Sequence, residues 1–102
     1  MRERDVEKRL RFGIQKLGGL CYKFTSPGNA GVPDRIVILP NGEVIFVELK
    51  TEIGKISKIQ NIQLKRLERH HARTKVLYGA GDVDAFLEWC ERYGGCHGAQ
   101  IT

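Results

Sequence analysis

Two short apolar runs, Arg35-Ile36-Val37-Ile38-Leu39 and Val44-Ile45-Phe46-Val47, flank Pro40-Asn41-Gly42. Runs rich in β-branched residues on either side of an Asn-Gly step predict a β-hairpin, here over about 34–39 and 43–50. Neither run alternates with polar residues. Strands of that kind belong at the centre of a sheet, with helices covering them. Their ends, however, are charged: Pro33-Asp34 opens the first, and Glu48-Leu49-Lys50 closes the second. Ionised groups in apolar company are costly unless they are paired or bind a metal.

The length of the turn decides whether these charges meet. Opposed residues of an antiparallel pair have a constant index sum. A three-residue loop, Pro40-Asn41-Gly42, pairs Leu39 with Glu43 and so sets Asp34 opposite Glu48, about 5 Å away. A two-residue Asn-Gly turn would shift the register by one and turn Asp34 to the other face, unless a bulge restored it. Glu48 and Lys50, two apart, share a face in either case. Two carboxylates side by side suit a hard divalent cation, Mg2+ or Mn2+, with the Leu49 backbone carbonyl as a further oxygen. Such a cation polarises a phosphoryl group and acidifies a bound water. Lys50 would orient or deprotonate that water, or stabilise charge building on phosphorus. The plain alternative is a cross-strand salt bridge.

Around the hairpin, Val6, Leu10, Ile14 and Leu17 recur at helical spacing before Gly18-Gly19, predicting a helix over 3–17. Leu20 to Thr25 reads as a strand, and Ser26 to Pro33 as a loop with Gly, Pro and Asn turn chemistry. A second helix starts at Ser57, with Gln60 placed for a capping box. Lys75 to Tyr78 is a short strand. Asp82 reads as the N-cap of a last helix that turns Val83, Phe86, Leu87 and Cys90 inward. The order is α-β-β-β-α-β-α in one α/β domain, residues 1–93, followed by a flexible tail, 94–102.

With 102 residues, 41% hydrophobic and 28% charged, the chain has the size and composition of one globular domain. No stretch approaches the ~20 apolar residues of a membrane span. Met1 to Asp5 lacks the apolar core of a secretory signal, so a cytoplasmic location is expected. Three cysteines do not make a disulfide framework, and Cys90, Cys96 and His97 have no zinc-knuckle spacing. The net charge of +5 and a pI near 9.3 favour polyanionic partners.

Pro33-Asp34 followed by Glu48-Leu49-Lys50 resembles the PD-(D/E)xK nuclease superfamily. Gly31-Val32-Pro33-Asp34-Arg35, Phe46-Val47-Glu48-Leu49-Lys50, Gly54, Ser57 and Gln60 extend the resemblance to its VRR-NUC branch, over roughly residues 3–90. The resemblance implies a restriction-endonuclease-like core, a central mixed sheet flanked by helices. It also implies a metal-dependent DNA endonuclease resembling Holliday junction resolvases, working as a homodimer on branched duplex. By that likeness Asp34 and Glu48 are metal ligands, Lys50 is the catalytic lysine, and Glu7 is the first-helix acid that completes the metal site. Gln60 matches the polar residue that positions water, lysine or substrate. Glu3 lies on the same side of the first helix as Glu7 and rivals it; Glu7 also reads as a solvated acid, and Gln60 as a cap alone.

Overall fold

The structure, a computed structural model, describes residues 1–95. Its elements follow the expected order: α1 (Glu3–Lys16), β1 (Leu20–Lys23), β2 (Arg35–Ile38), β3 (Val44–Lys50), α2 (Lys58–Arg69), β4 (Arg73–Tyr78) and α3 (Gly79–Tyr93). The strands form one mixed sheet in the order β1-β2-β3-β4, antiparallel except for the β3–β4 pair. The two apolar strands of the hairpin are therefore the central ones. No helix among the described residues is long and apolar enough to cross a membrane.

The turn has three residues. Leu39 donates its N–H to the Glu43 carbonyl at 2.9 Å, and Gly42 donates to the Leu39 carbonyl at 2.8 Å. Arg35 stands opposite Val47 and Ile38 opposite Val44. One step further in that register, Asp34 faces Glu48.

Parity then divides the sheet. Cys21, Val37, Ile45, Val47, Leu49 and Leu77 project to one face, where they are buried with Val6, Leu10 and Ile14 of α1 and Val83, Phe86 and Cys90 of α3. The other face carries Glu48, Lys50, Phe46 and Ile36. Only α2 lies on it: Leu64 is buried, and Glu68 accepts a hydrogen bond from the Thr74 hydroxyl. Both faces of the hairpin were expected to be covered; this one is covered only on the β4 side. Leu20, Tyr22 and Val44 are 45%, 56% and 42% exposed there. One twelve-residue helix, packed mainly on β4, is too narrow to span four strands.

β1 ends at Lys23, short of Thr25, and β4 begins at Arg73, ahead of Lys75; two further boundaries differ from expectation. The last helix begins at Gly79, and Asp82 lies within its first turn, accepting the Tyr78 N–H at 2.8 Å instead of forming the N-cap. The reach of that carboxylate back to Tyr78 ties down a turn that Gly79-Ala80-Gly81 would not hold by propensity. At the other end Gly94 is buried and accepts the Asn41 N–H at 3.0 Å, so it belongs to the packed domain and not to the tail. The remainder of the expected tail, from residue 96, lies outside the described residues, with Cys96 and His97.

Candidate active site

The carboxyl end of β3 presents Glu48 and Lys50 beside Asp34, at the mouth of β2. Glu48 is 5% exposed, the only charged residue in the buried set among those described. Gln60 donates from Nε2 to Glu48 Oε2 at 3.3 Å, and Lys50 Nζ lies 3.8 Å from the same oxygen. Gln60 does more than this. Its Oε1 accepts the Ser57 N–H at 2.9 Å, while its own N–H donates to Ser57 Oγ at 3.2 Å, a complete capping box. One side chain thus completes the cap read from its spacing and also reaches the buried Glu48 carboxylate.

Burial dominates the electrostatics. It pushes the Glu48 carboxyl up to about 7, with Asp34 adding to the rise and Lys50 opposing it. The Asp34 carboxyl is raised as well, by burial, against the pull of the Arg35 guanidinium and the Leu49 backbone amide. The Leu49 side chain itself is fully buried in the core. Arg35 Nη1 stands 3.6 Å from Asp34 Oδ2, whereas Asp34 Oδ1 is buried without a hydrogen-bond partner. An orphaned carboxylate oxygen is destabilising by roughly 1–3 kcal/mol or more. Here it faces a second buried carboxylate, a donor set that fits Mg2+ or Mn2+.

On the first helix, Glu7 is engaged by two arginines. Glu7 Oε2 accepts from Arg11 Nε at 3.2 Å and from Arg35 Nε at 3.3 Å. Arg35 is an odd-numbered position of β2 and points to the α1 face, so it draws Glu7 there. Cys21 shows the same placement: burial lifts its thiol to about 11, and the Glu7 charge adds more to the rise than the Asp34 charge does. The helix acid whose charge raises Glu48 is Glu3, one turn earlier. Among the described residues no three His, Cys, Asp or Glu side chains come together as a metal cage.

The loop before Asp34 is fastened to α2. Gly31 adopts φ +88°, and a Cβ there would lie 2.8 Å from the Ile59 carbonyl oxygen and 3.1 Å from the Gln60 amide nitrogen. Gln63 Nε2 also donates to the Ala30 carbonyl at 3.1 Å. This close approach seats the first turn of α2, and therefore Gln60, beside Glu48.

Residues 11–81 match the family profile of the VRR-NUC domain. The chain belongs to the VRR-NUC family. The profile takes in Asp34, Glu48, Lys50 and Gln60 and begins after Glu3 and Glu7. The chain is 58% identical over 73 residues, 72% of its length and 71% of the relative's, to a protein of Acyrthosiphon pisum secondary endosymbiont phage 1 named "Putative nuclease p44". A solved VRR-NUC domain superposes with a TM-score of 0.79 at 34% identity, over 84% of this chain and 94% of that one. A second solved VRR-NUC domain protein, 14% identical, shares the fold with a TM-score of 0.66 over 91% of this chain and 88% of its own. This VRR-NUC chain thus combines the family's nuclease-type fold with a buried Glu48 carboxylate beside the partly exposed Asp34 at the strand ends.

Proposed function

We propose that this protein is a divalent-metal-dependent endonuclease that hydrolyses phosphodiester bonds of branched duplex DNA, four-way junctions foremost, as a homodimer. The observation that carries the chemistry is the buried, unpartnered Asp34 Oδ1 opposite buried Glu48. Asp34 and Glu48 would hold Mg2+ or Mn2+, with the Leu49 carbonyl as a further oxygen and an acid of α1 outside them. Glu3 is better placed than Glu7 for that role, since its charge reaches Glu48 while Glu7 is engaged by two arginines. When bound, the cation supplies charge neutralisation at the phosphate and acidifies water.

The chain's own groups do the remainder. Lys50 sets an ammonium beside the carboxylates, where negative charge accumulates as the phosphorus is attacked. Gln60 engages Glu48 through Oε2 and would leave Oε1 for the cation. Branched DNA is supported by size and charge: 102 residues with a net charge of +5 offer phosphate contacts but little surface for reading a long base sequence. The half-covered sheet face supports the dimer. Leu20, Tyr22, Ile36, Ile38, Val44 and Phe46 carry no cation, so a second copy covers them better than a phosphate backbone does.

The test is cleavage of a labelled four-way junction by the wild type and by Asp34→Ala, in manganese, magnesium and EDTA. Metal-dependent symmetric cuts, lost in the variant while binding persists, are expected. Equal cutting of a linear duplex of the same sequence would remove the junction preference, and no cutting with any metal or DNA would remove the nuclease.

A further inference from the structure

Lys50 runs directly into a turn. The Gly54 N–H donates to the Thr51 carbonyl at 3.1 Å, and a Cβ on Gly54 would stand 3.0 Å from Lys50 Cβ and 3.4 Å from Lys50 Cδ. Gly54 is therefore packed flat on the lysine stem. Two residues earlier, the Glu52 side chain lies over Gly79, where a Cβ would come within 2.5 Å of Glu52 Cγ. The turn is anchored on both sides, at Glu52 and at Gly54. Between them Ile53 is 90% exposed, the most exposed large apolar side chain described. An isoleucine on a slack loop would fold back onto apolar surface; these two anchors hold this one out.

Ile53 also forms one wall of a groove of about 770 Å³, lined by Met1, Arg2, Asp5, Thr51 and Glu52. Arg2 pairs with Asp5 and the Met1 ammonium with Glu52, each at 3.6 Å, so the groove carries no net charge and suits an uncharged base rather than a phosphate. The same carboxylates and the Thr51 hydroxyl accept hydrogen bonds, and exocyclic amino groups of bases donate them. An aliphatic projection beside such acceptors suits a base that has left its stack, and isoleucine is among the side chains that wedge base steps apart.

We infer that Ile53 is a wedge that inserts between bases of the DNA next to the cut and turns an unstacked base into the groove between the start of α1 and the 51–54 turn. The inference rests on the nuclease reading and specifies what that site takes: a duplex opened at the point of cleavage. Phosphates bind elsewhere, at the cationic surface and the metal site, and this groove holds a base.

The test is single-turnover cleavage in manganese of two DNAs of one sequence. In the first the branch is fully paired; in the second, nucleotides beside the cut are mismatched and already open. Ile53→Ser is expected to slow the paired substrate about tenfold, because the apolar wedge that offsets the unstacking of a base step is lost. The opened substrate should be cut at the wild-type rate, and Ile53→Leu should restore cutting of the paired one. 2-Aminopurine beside the cut should brighten when the wild type binds and stay dark with Ile53→Ser. Equal slowing on both substrates, or none on either, overturns the wedge while leaving the nuclease intact. Failure of the wild type to cut either DNA overturns the nuclease reading and the wedge with it.

Discussion

Glu48 is buried as if it were structural and charged as if it were a ligand, and its titration separates those two properties. An unfolded glutamate loses its proton near 4.5, whereas the folded carboxyl holds it up to about 7. Between those values the native state binds the extra proton, so the stability of the metal-free protein falls as pH rises from about 4.5 to about 7, and levels off above. The expected loss is about 1–3 kcal/mol once relaxation of the site is allowed for. Thermal unfolding in EDTA at pH 5 and pH 8 measures it, with Glu48→Gln as the reference that lacks the titration. The glutamine variant should unfold several degrees higher than the wild type at pH 8, and it should fail to cut DNA. Manganese should raise the wild-type melting temperature at pH 8 and leave the variant nearly unmoved. Gln60 supplies a second residue-scale test. Gln60→Glu keeps an acceptor for the Ser57 N–H but removes the donor to Glu48 and sets a third carboxylate beside the pair. Far-UV circular dichroism should report an intact helix while cutting falls by an order of magnitude or more. Gln60→Ala should lose the cap as well, about 1 kcal/mol.

Among the elements, the loop before β2 and the first turn of α2 stand or fall together. Gly31 and Gly28 both have left-handed backbone, φ +88° and +83°, but only Gly31 touches α2; nothing lies within 4 Å of a Cβ at Gly28. Alanine at either position therefore meets the same backbone penalty, about 1–2 kcal/mol. Gly31→Ala must also push against the Ile59 carbonyl and the Gln60 amide. It should be the more destabilised of the two in urea unfolding, and it alone should lose cleavage at temperatures where both are folded. That coupling was not legible in the sequence, which shows a glycine-rich loop and a helix thirty residues apart with nothing to join them. The hairpin was legible, because strand parity and loop length are integers: three residues in the turn place Asp34 against Glu48. The capping box was legible because Ser57 and Gln60 have the spacing of a local motif. Glu3 and Glu7 were not separable, since four residues along a helix leave both on one side. The choice depends on where α1 crosses the sheet and on Arg35, a partner 28 positions away from Glu7. The start of α3 was misjudged for a related reason: two glycines in three residues look like a break until Asp82 reaches back to Tyr78.

At the scale of the whole molecule, charge and apolar surface make opposite demands on salt. A chain carrying +5 binds DNA by displacing counterions, so its affinity for a junction should fall steeply between about 0.05 M and about 0.3 M salt. Two such chains repel one another at low salt, while the surface that would join them, Leu20, Tyr22 and Val44 with the half-buried Ile36, Ile38 and Phe46, is apolar. Screening removes the repulsion and leaves hydrophobic burial nearly unchanged. Self-association should therefore hold or tighten across the same range in which DNA binding weakens. Sedimentation velocity at both salt levels, alongside a binding titration, distinguishes this from a dimer held by surface ion pairs, whose mass would fall with salt. Tyr22→Lys places a cation on the edge strand of the open face and should leave a folded monomer, because Tyr22 is 56% exposed and supports little of the core. The consequence for function follows from symmetry. Each chain carries one site, so paired cuts across a junction require two chains on one DNA. A Tyr22→Lys monomer that keeps Asp34, Glu48 and Lys50 should nick one strand at a time, with the second cut lagging in a closed-circular cruciform assay. Simultaneous paired cuts by that monomer would place the dimer contact on another surface.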